Sequence, residues 1–355
     1  MGLFSRISLK DKVIFYESVA NLLEGGVTLL EAIKGFGSRL PKGAFKEAIE
    51  NTVFFIESGD RMNVAMRKIP NFYNTKEIAI IESGEQTGML QETFQAIADE
   101  MRMQQDLKRK IIGSLTYPFI IFMLLILAIS VIMIYVIPSI IPMIAEMATE
   151  VPFATQSLIA TSDFLRNYIF WILLILIAAI LLFRGYTLTR IGAIWWDRLK
   201  IFNPISGKLY TNYIIVQVMS TFYLLVSSGV SIVKALQLTG ASAGNVYVDA
   251  LYAMIAKDIA AGNKLSDSMQ EHDKEGQIFK PDILQMIESA EQTSTIHNVS
   301  IKIAEQYRRK LDSSLDVMVK FIEPIALIGA GVFVAWFALA IISVMIQITQ
   351  NAGLQ

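Results

Sequence analysis

The chain has no cysteine among its 355 residues, which excludes disulfides, thiolate metal sites and a thiol nucleophile. Histidine is almost as scarce. Only His272 and His297 occur, each in polar surroundings that read as solvated rather than as a metal ligand or general base. No phosphate-binding loop of the form GxxxxGK is present; the nearest approach, GVSIVK at residues 229–234, lacks the second glycine and the hydroxyl that hold phosphate and magnesium. GxSxG and HExxH patterns are absent as well. Nothing supports an enzyme, and no cofactor or catalytic metal is expected. Charge of either sign lacks a surplus, with 31 Lys and Arg against 32 Asp and Glu, so there is no electrostatic footprint for nucleic acid. The first residues, MGLFSRISLKDK, contain no apolar core with a small-residue cleavage site, and Arg6 stands where a myristoylation signal needs Ser or Thr.

What the chain does have is apolar length. It is 54% hydrophobic and only 18% charged, with a positive mean hydropathy, which predicts a membrane protein. Residues 111–137 carry no charge and exceed the roughly 20 residues that cross a bilayer. Pro118 sits near the start of this run, and Pro138 and Pro142 are expected to end it. Residues 138–167 then read as a connector bearing Glu146, Glu150 and Asp163 against Arg166 alone. A second span is expected over 168–186 with Arg184 snorkelling, and a third over 321–347. Glu323 stands at the mouth of the third span with Lys320 three residues before it, an arrangement that reads as a local interfacial pair.

The chain is also built twice. The stretch IAIIESGEQTGML at residues 78–90 returns as LQMIESAEQTSTI at 284–296, 206 positions later. With the same offset IADEM (97–101) falls on IAEQY (303–307), and Tyr117–Pro118 falls on Glu323–Pro324. Upstream the offset becomes 203: LLEGGVTLLEAI (22–33) lies over LVSSGVSIVKAL (225–236), and Gly59 lies over Gly262. A shared order of motifs with one small gap marks an internal repeat. Within residues 8–110, Thr28 with Glu31 and Asn74 with Glu77 give helix-start signals, and Leu90, Phe94, Ile97 and Met101 make one apolar helical stripe leading into the first span. No alternating stretch argues for a strand. The expected fold is an all-α membrane protein with two repeated helical domains, 8–110 and 187–320, and three transmembrane helices.

Two crossings between the repeats put both on one side and the tail, 348–355, on the other. Basic residues decide which. Arg102, Lys108, Arg109 and Lys110 precede the first span, Arg184, Arg190, Arg198 and Lys200 follow the second, and Arg308, Arg309, Lys310 and Lys320 precede the third. The repeats, with the N-terminus, are therefore expected in the cytoplasm, and the connector and C-terminus outside it. A transporter or channel component is the alternative, but polar groups at membrane depth mark a transport pathway, and these spans hold little beyond Ser and Thr. The acidic pairs Glu82/Glu85 and Glu288/Glu291 could form a cation site, but their i, i+3 spacing fits a solvated helix face better.

Gly26, Gly59, Glu85, Gly88, Leu90, Tyr117 and Pro118 in the first copy, with Gly229, Gly262, Glu291 and Pro324 in the second, occur in an order that resembles the type II secretion F family, the inner-membrane platform proteins of type II secretion and type IV pilus machines. The resemblance runs from about Lys12 to Ile346, with a shorter stretch before the first repeat than many members carry. It implies a non-enzymatic protein of the bacterial inner membrane whose repeats are bundles of about six helices. It further implies a homo-oligomer that couples a cytoplasmic hexameric secretion ATPase, with other inner-membrane assembly proteins, to the extraction and assembly of pilin or pseudopilin subunits. On this basis Glu82, Glu85, Gly88, Glu288 and Glu291 are candidates for ATPase or platform contacts, and Tyr117, Pro118, Glu323 and Pro324 for the membrane entrance facing a pilin. Gly84 and Gly88 become Ala290 and Ser294 in the second copy, so the two turns are expected to differ in shape.

Overall fold

Polar caps and glycine turns cut the soluble parts of the chain into short helices, and apolar runs extend a few of them far beyond that length. The computed structural model describes residues 7–69, 72–147, 152–204 and 206–352, and every element there is helical. The first copy comprises α1 (Leu9–Glu24), α2 (Leu29–Ser38), α3 (Ala44–Glu57), α4 (Met62–Arg67), α5 (Thr75–Thr87) and the start of α6 (Leu90–Val131). A π-helical segment (Ile132–Val136), α7 (Ile137–Met147), α8 (Phe153–Leu188) and α9 (Arg190–Phe202) follow. The second copy comprises α10 (Gly207–Ser227), α11 (Ile232–Ser242), α12 (Val246–Ala260), α13 (Leu265–His272), α14 (Pro281–Gln292) and the start of α15 (Ile296–Ala352). Residues 1–6, the connector residues 148–151 and the tail residues 353–355 lie outside the described part.

The chain divides into two compact units: residues up to 110 together with 193–314, and residues 111–192 together with those from 315 onward. The first unit holds both copies. In each, successive helices pack on one another in the same order, α1 to α5 and α10 to α14. The start signals act as expected: the Thr28 and Asn74 side chains accept the amides of Glu31 and Glu77. The turns match too, with φ of 81° at Gly26 and 84° at Gly229, and 96° at Gly59 and 91° at Gly262.

The cores differ. The first is aromatic, with Phe15 fully buried and its ring within 5.0–6.5 Å of those of Tyr16, Phe36, Phe72, Tyr73 and Phe94. At the matching positions the second copy places Val218, Thr239, Val248, Ile278 and Ser300 where the first has Phe15, Phe36, Phe45, Phe72 and Phe94. All five are completely buried.

Among the described residues four helical stretches are long and apolar enough to cross a membrane: 90–142, α8, α10 and 296–343. In α10, 67% of the most apolar stretch is buried by the rest of the protein, against 0–11% in the other three. Its hydrophobicity fills the interior of the second copy.

In the second unit the helices run further than the prolines indicate. Pro138 and Pro142 do not end the first apolar helix, which continues through the π segment into α7. Proline removes one donor and crowds the preceding turn. The wider turn takes up this defect: the Ile137 amide reaches back five residues to the Ile132 carbonyl. The Met133 carbonyl, which the residue at 138 would bond in that register, instead accepts the Ser162 hydroxyl at 2.5 Å. Ser162 belongs to α8, which begins at Phe153, so much of the stretch read as connector is helical. Met133, Ile137, Leu158 and Ala340 form a small buried core, joined by hydroxyl contacts: Thr155 donates to the Ala340 carbonyl at 2.6 Å, and the Trp336 indole donates to Ser157 at 3.2 Å. Small and hydroxyl-bearing residues let apolar helices approach closely in this way.

Candidate functional site

The repeated motif lies on α5 and on α14, and its best-matched residue does the same work in both. α4 begins after Arg61, which offers no side-chain cap. Both carboxylate oxygens of Glu85 fill that role, accepting the Met62 amide at 2.7 Å and the Asn63 amide at 3.1 Å. In the second copy α13 likewise starts uncapped after Lys264, and Glu291 accepts the Leu265 amide at 2.5 Å, the Ser266 amide at 3.0 Å and the Ser266 hydroxyl at 2.5 Å. A carboxylate at a helix N-terminus meets unsatisfied amides and the positive end of the dipole. The two glutamates are thus half-buried braces, each holding its α5-type helix to the short helix before it. Glu82 and Glu288, one turn earlier, remain at the surface. Glu82 pairs with Arg67 at 2.7 Å, whereas Glu288 is exposed and makes no ion pair among the described residues.

Gly88 closes α5 in the left-handed conformation, φ 76°, with its amide returned to the Gly84 carbonyl. Contrary to expectation, Ser294 takes the same conformation, φ 57°. The turn is therefore kept, and serine bears a backbone strain that glycine would not. The two copies differ instead at Gly84. A Cβ there would come within 2.9 Å of Thr93 Cβ, so glycine lets α5 and α6 touch; Ala290 occupies the matching place, buried.

The first motif also faces the second copy. The Ser83 hydroxyl donates to the Ser228 carbonyl in the turn between α10 and α11, and α5 packs on both of those helices. Thr221 of α10 donates to Glu100 at 3.2 Å. Glu100 is buried and bonded by Lys76 at 2.8 Å. Beside it Glu77, also buried, gathers Lys12 at 2.9 Å and the Tyr16 hydroxyl at 2.8 Å. Burial, then the Glu77 charge, push the Tyr16 phenol well above its usual range, so this proton stays in place as a structural donor. Sequence patterns did not single out Glu77 and Glu100 as buried anchors, because their partners stand 24 to 121 positions away. His272, the last residue of α13, likewise bonds Asp258 at 2.7 Å rather than standing free in solvent.

The four residues at the expected membrane entrances lie on long helices. Tyr117 is exposed and Pro118 buried on α6; Glu323 and Pro324 are both exposed on α15. Both prolines sit inside continuous helix. Glu323 has no ion pair with Lys320 among the described residues, so the local pair expected there does not form.

The arrangement holds braces, caps and helix contacts. Among the described residues no group of His, Asp or Glu is placed to hold a metal ion. Comparison with known proteins accounts for this architecture. The model of the family "Type II secretion system (T2SS), protein F" matches residues 15–138 and again 218–344, segments whose starts are 203 positions apart and whose ends are 206 apart, the offsets of the internal repeat. The type IV pilus assembly protein PilC of Thermus thermophilus is 28% identical over 92% of this chain and 79% of its own length. PilC of Myxococcus xanthus is 24% identical over 94% and 79%, and the type II secretion system protein F of Aeromonas hydrophila 19% over 98% and 88%. With both copies matched in register and several apolar helices long enough to span a bilayer, this chain belongs to the type II secretion system protein F family and is a multi-pass protein of the inner membrane.

Proposed function

We propose that the chain is the inner-membrane platform of a type IV pilus or type II secretion machine, coupling a cytoplasmic secretion ATPase to the extraction and assembly of pilin or pseudopilin subunits. The observation that carries this reading is the double family match over both copies, with relatives named for pilus assembly and for secretion. Three of the four apolar stretches cross the bilayer in this reading. α10 stays in the soluble part, because its apolar surface is already covered by protein. That count puts the two bundles, of six helices each, on one side, and the basic residues flanking the spans put that side in the cytoplasm. The platform acts without a cofactor, as a homo-oligomer beside other assembly proteins.

Within this role Glu82 and Glu288 are the acidic groups most open to an ATPase surface, since Glu85 and Glu291 are engaged in capping, and Gly88 shapes the turn next to them. Tyr117 and Glu323, with Pro118 and Pro324, mark where a pilin's apolar helix meets the spans. The Thr155 and Ser162 hydroxyls of the second unit are spent on neighbouring backbone carbonyls, which supports a platform over a transport path. The test is deletion of the gene with complementation, read by filament assembly or secretion, together with co-purification of the cognate ATPase and pilin. Loss of filaments and recovery of both partners is expected. Intact filaments or secretion without the protein would overturn the reading.

A further inference from the structure

The second copy carries a cation-lined cleft that the first copy lacks. A cavity of about 570 Å³ opens between the start of α10, the start of α14 and the first third of α15. Lys208, Lys280, Arg309 and Lys310 line it. Only Lys310 is paired, with Asp282 at 2.7 Å; the other three have no carboxylate partner among the described residues. Asn212 forms part of the wall. It is 1% exposed, and both its Nδ2 and Oδ1 lack any hydrogen-bond partner. A buried amide with neither end satisfied is costly, and a ligand in the cleft would supply the missing partner.

We propose that this cleft is a binding site for a phosphoryl anion. Guanidinium and ammonium groups converge on it from three helices, and the Asn212 amide supplies a donor at its floor. The electrostatics agree. Lys280 has its pKa lowered, first by burial and then by the neighbouring Lys310 charge, with Asp282 opposing and Lys208 adding to the effect. An anion among these cations relieves their repulsion. Four cations and one carboxylate leave a surplus of positive charge that three phosphate oxygens match.

The first copy provides the contrast. Its residues at the positions of Lys280, Gln306, Arg309 and Lys310 are Asn74, Glu100, Met103 and Gln104. There is no cation among them, and Glu100 is occupied by Lys76. The cations are present in one half of the repeat and absent from the other, so the common repeat fold does not require them.

The ligand is either a soluble phosphate compound or the headgroup of an anionic lipid, and two arms separate these. In the first, the full-length protein in detergent is titrated calorimetrically with pyrophosphate at low and high salt. In the second, the protein is released from nanodiscs containing phosphatidylglycerol and its retained lipid is counted by native mass spectrometry. Each arm compares wild type with Lys208→Gln/Arg309→Gln, two exposed positions outside any ion pair, and with Asn212→Leu, which keeps the side-chain size. Lys42→Gln/Lys302→Gln, removing the same charge elsewhere, is the control, and thermal melts verify folding of each. Binding at least ~10-fold weaker in the cleft variants alone is expected, as loss of charge-assisted hydrogen bonds implies. A pyrophosphate effect identifies a soluble ligand, and a phosphatidylglycerol effect a headgroup. Binding in neither arm, or equal binding by cleft variants and control, overturns the proposal.

Discussion

A short helix that begins without a cap of its own needs its first amides satisfied from elsewhere, and Glu85 and Glu291 do this for α4 and α13. Alanine at either position strands two donors, at an expected cost of ~1–3 kcal/mol. Amide exchange should then quicken at Met62 and Asn63 in Glu85→Ala and at Leu265 and Ser266 in Glu291→Ala; unaltered protection in both would show that water serves equally well. At the left-handed turns the expectation is opposite in sign between copies. Ser294→Gly should raise the melting temperature, by about 1 kcal/mol of relieved strain, and Gly88→Ser should lower it by a similar amount. The sequence paired Glu85 with Glu291 through the constant offset, and so announced a shared role. It did not announce capping, because the capped amides lie 22 to 26 positions away and no local pattern spans that distance. The nearest clue was negative: Arg61 and Lys264 stand where a capping side chain belongs.

At the scale of the element, hydropathy located the long helices but misjudged where one stops. Pro138 and Pro142 read as terminators, and they would be if each helix stood alone. A wide turn and a hydroxyl from α8 repair the first of them, and that hydroxyl is visible only once α8 lies alongside. Ser162→Ala should leave the Met133 carbonyl unpaired in apolar surroundings, costing ~1–2 kcal/mol and lowering resistance to denaturing detergent. Ser162→Thr, which keeps the hydroxyl, should lose much less; equal losses would assign the effect to packing instead. α10 illustrates the converse. Length and hydropathy admit it as a span, yet it aligns with α1 in the repeat and, unlike the other three stretches, most of it is buried by the rest of the protein.

For the whole molecule the decisive quantity is how many times the chain crosses the bilayer. Because no native cysteine is present, single cysteines report position without background. Ser58→Cys and Asn263→Cys, in equivalent turns of the two copies, should both be shielded from a membrane-impermeant maleimide in intact cells, and Gln355→Cys should be labelled. Labelling of only one of the first two would put the copies on opposite faces and remove α8 as a crossing. The five phenylalanines of the first core and the smaller residues at the same places in the second bear on how such a chain assembles. While folding, it exposes two sets of helices of like order and similar length, so α2 could dock where α11 belongs. Phe36 would then have to enter a space shaped for Thr239, and α6 would bring Phe94 against a site built around Ser300. Overpacking of that kind costs ~1–3 kcal/mol at each position. Divergence of the two interiors thus works as a sorting code, which keeps a self-similar chain from exchanging its own parts or those of a neighbouring copy.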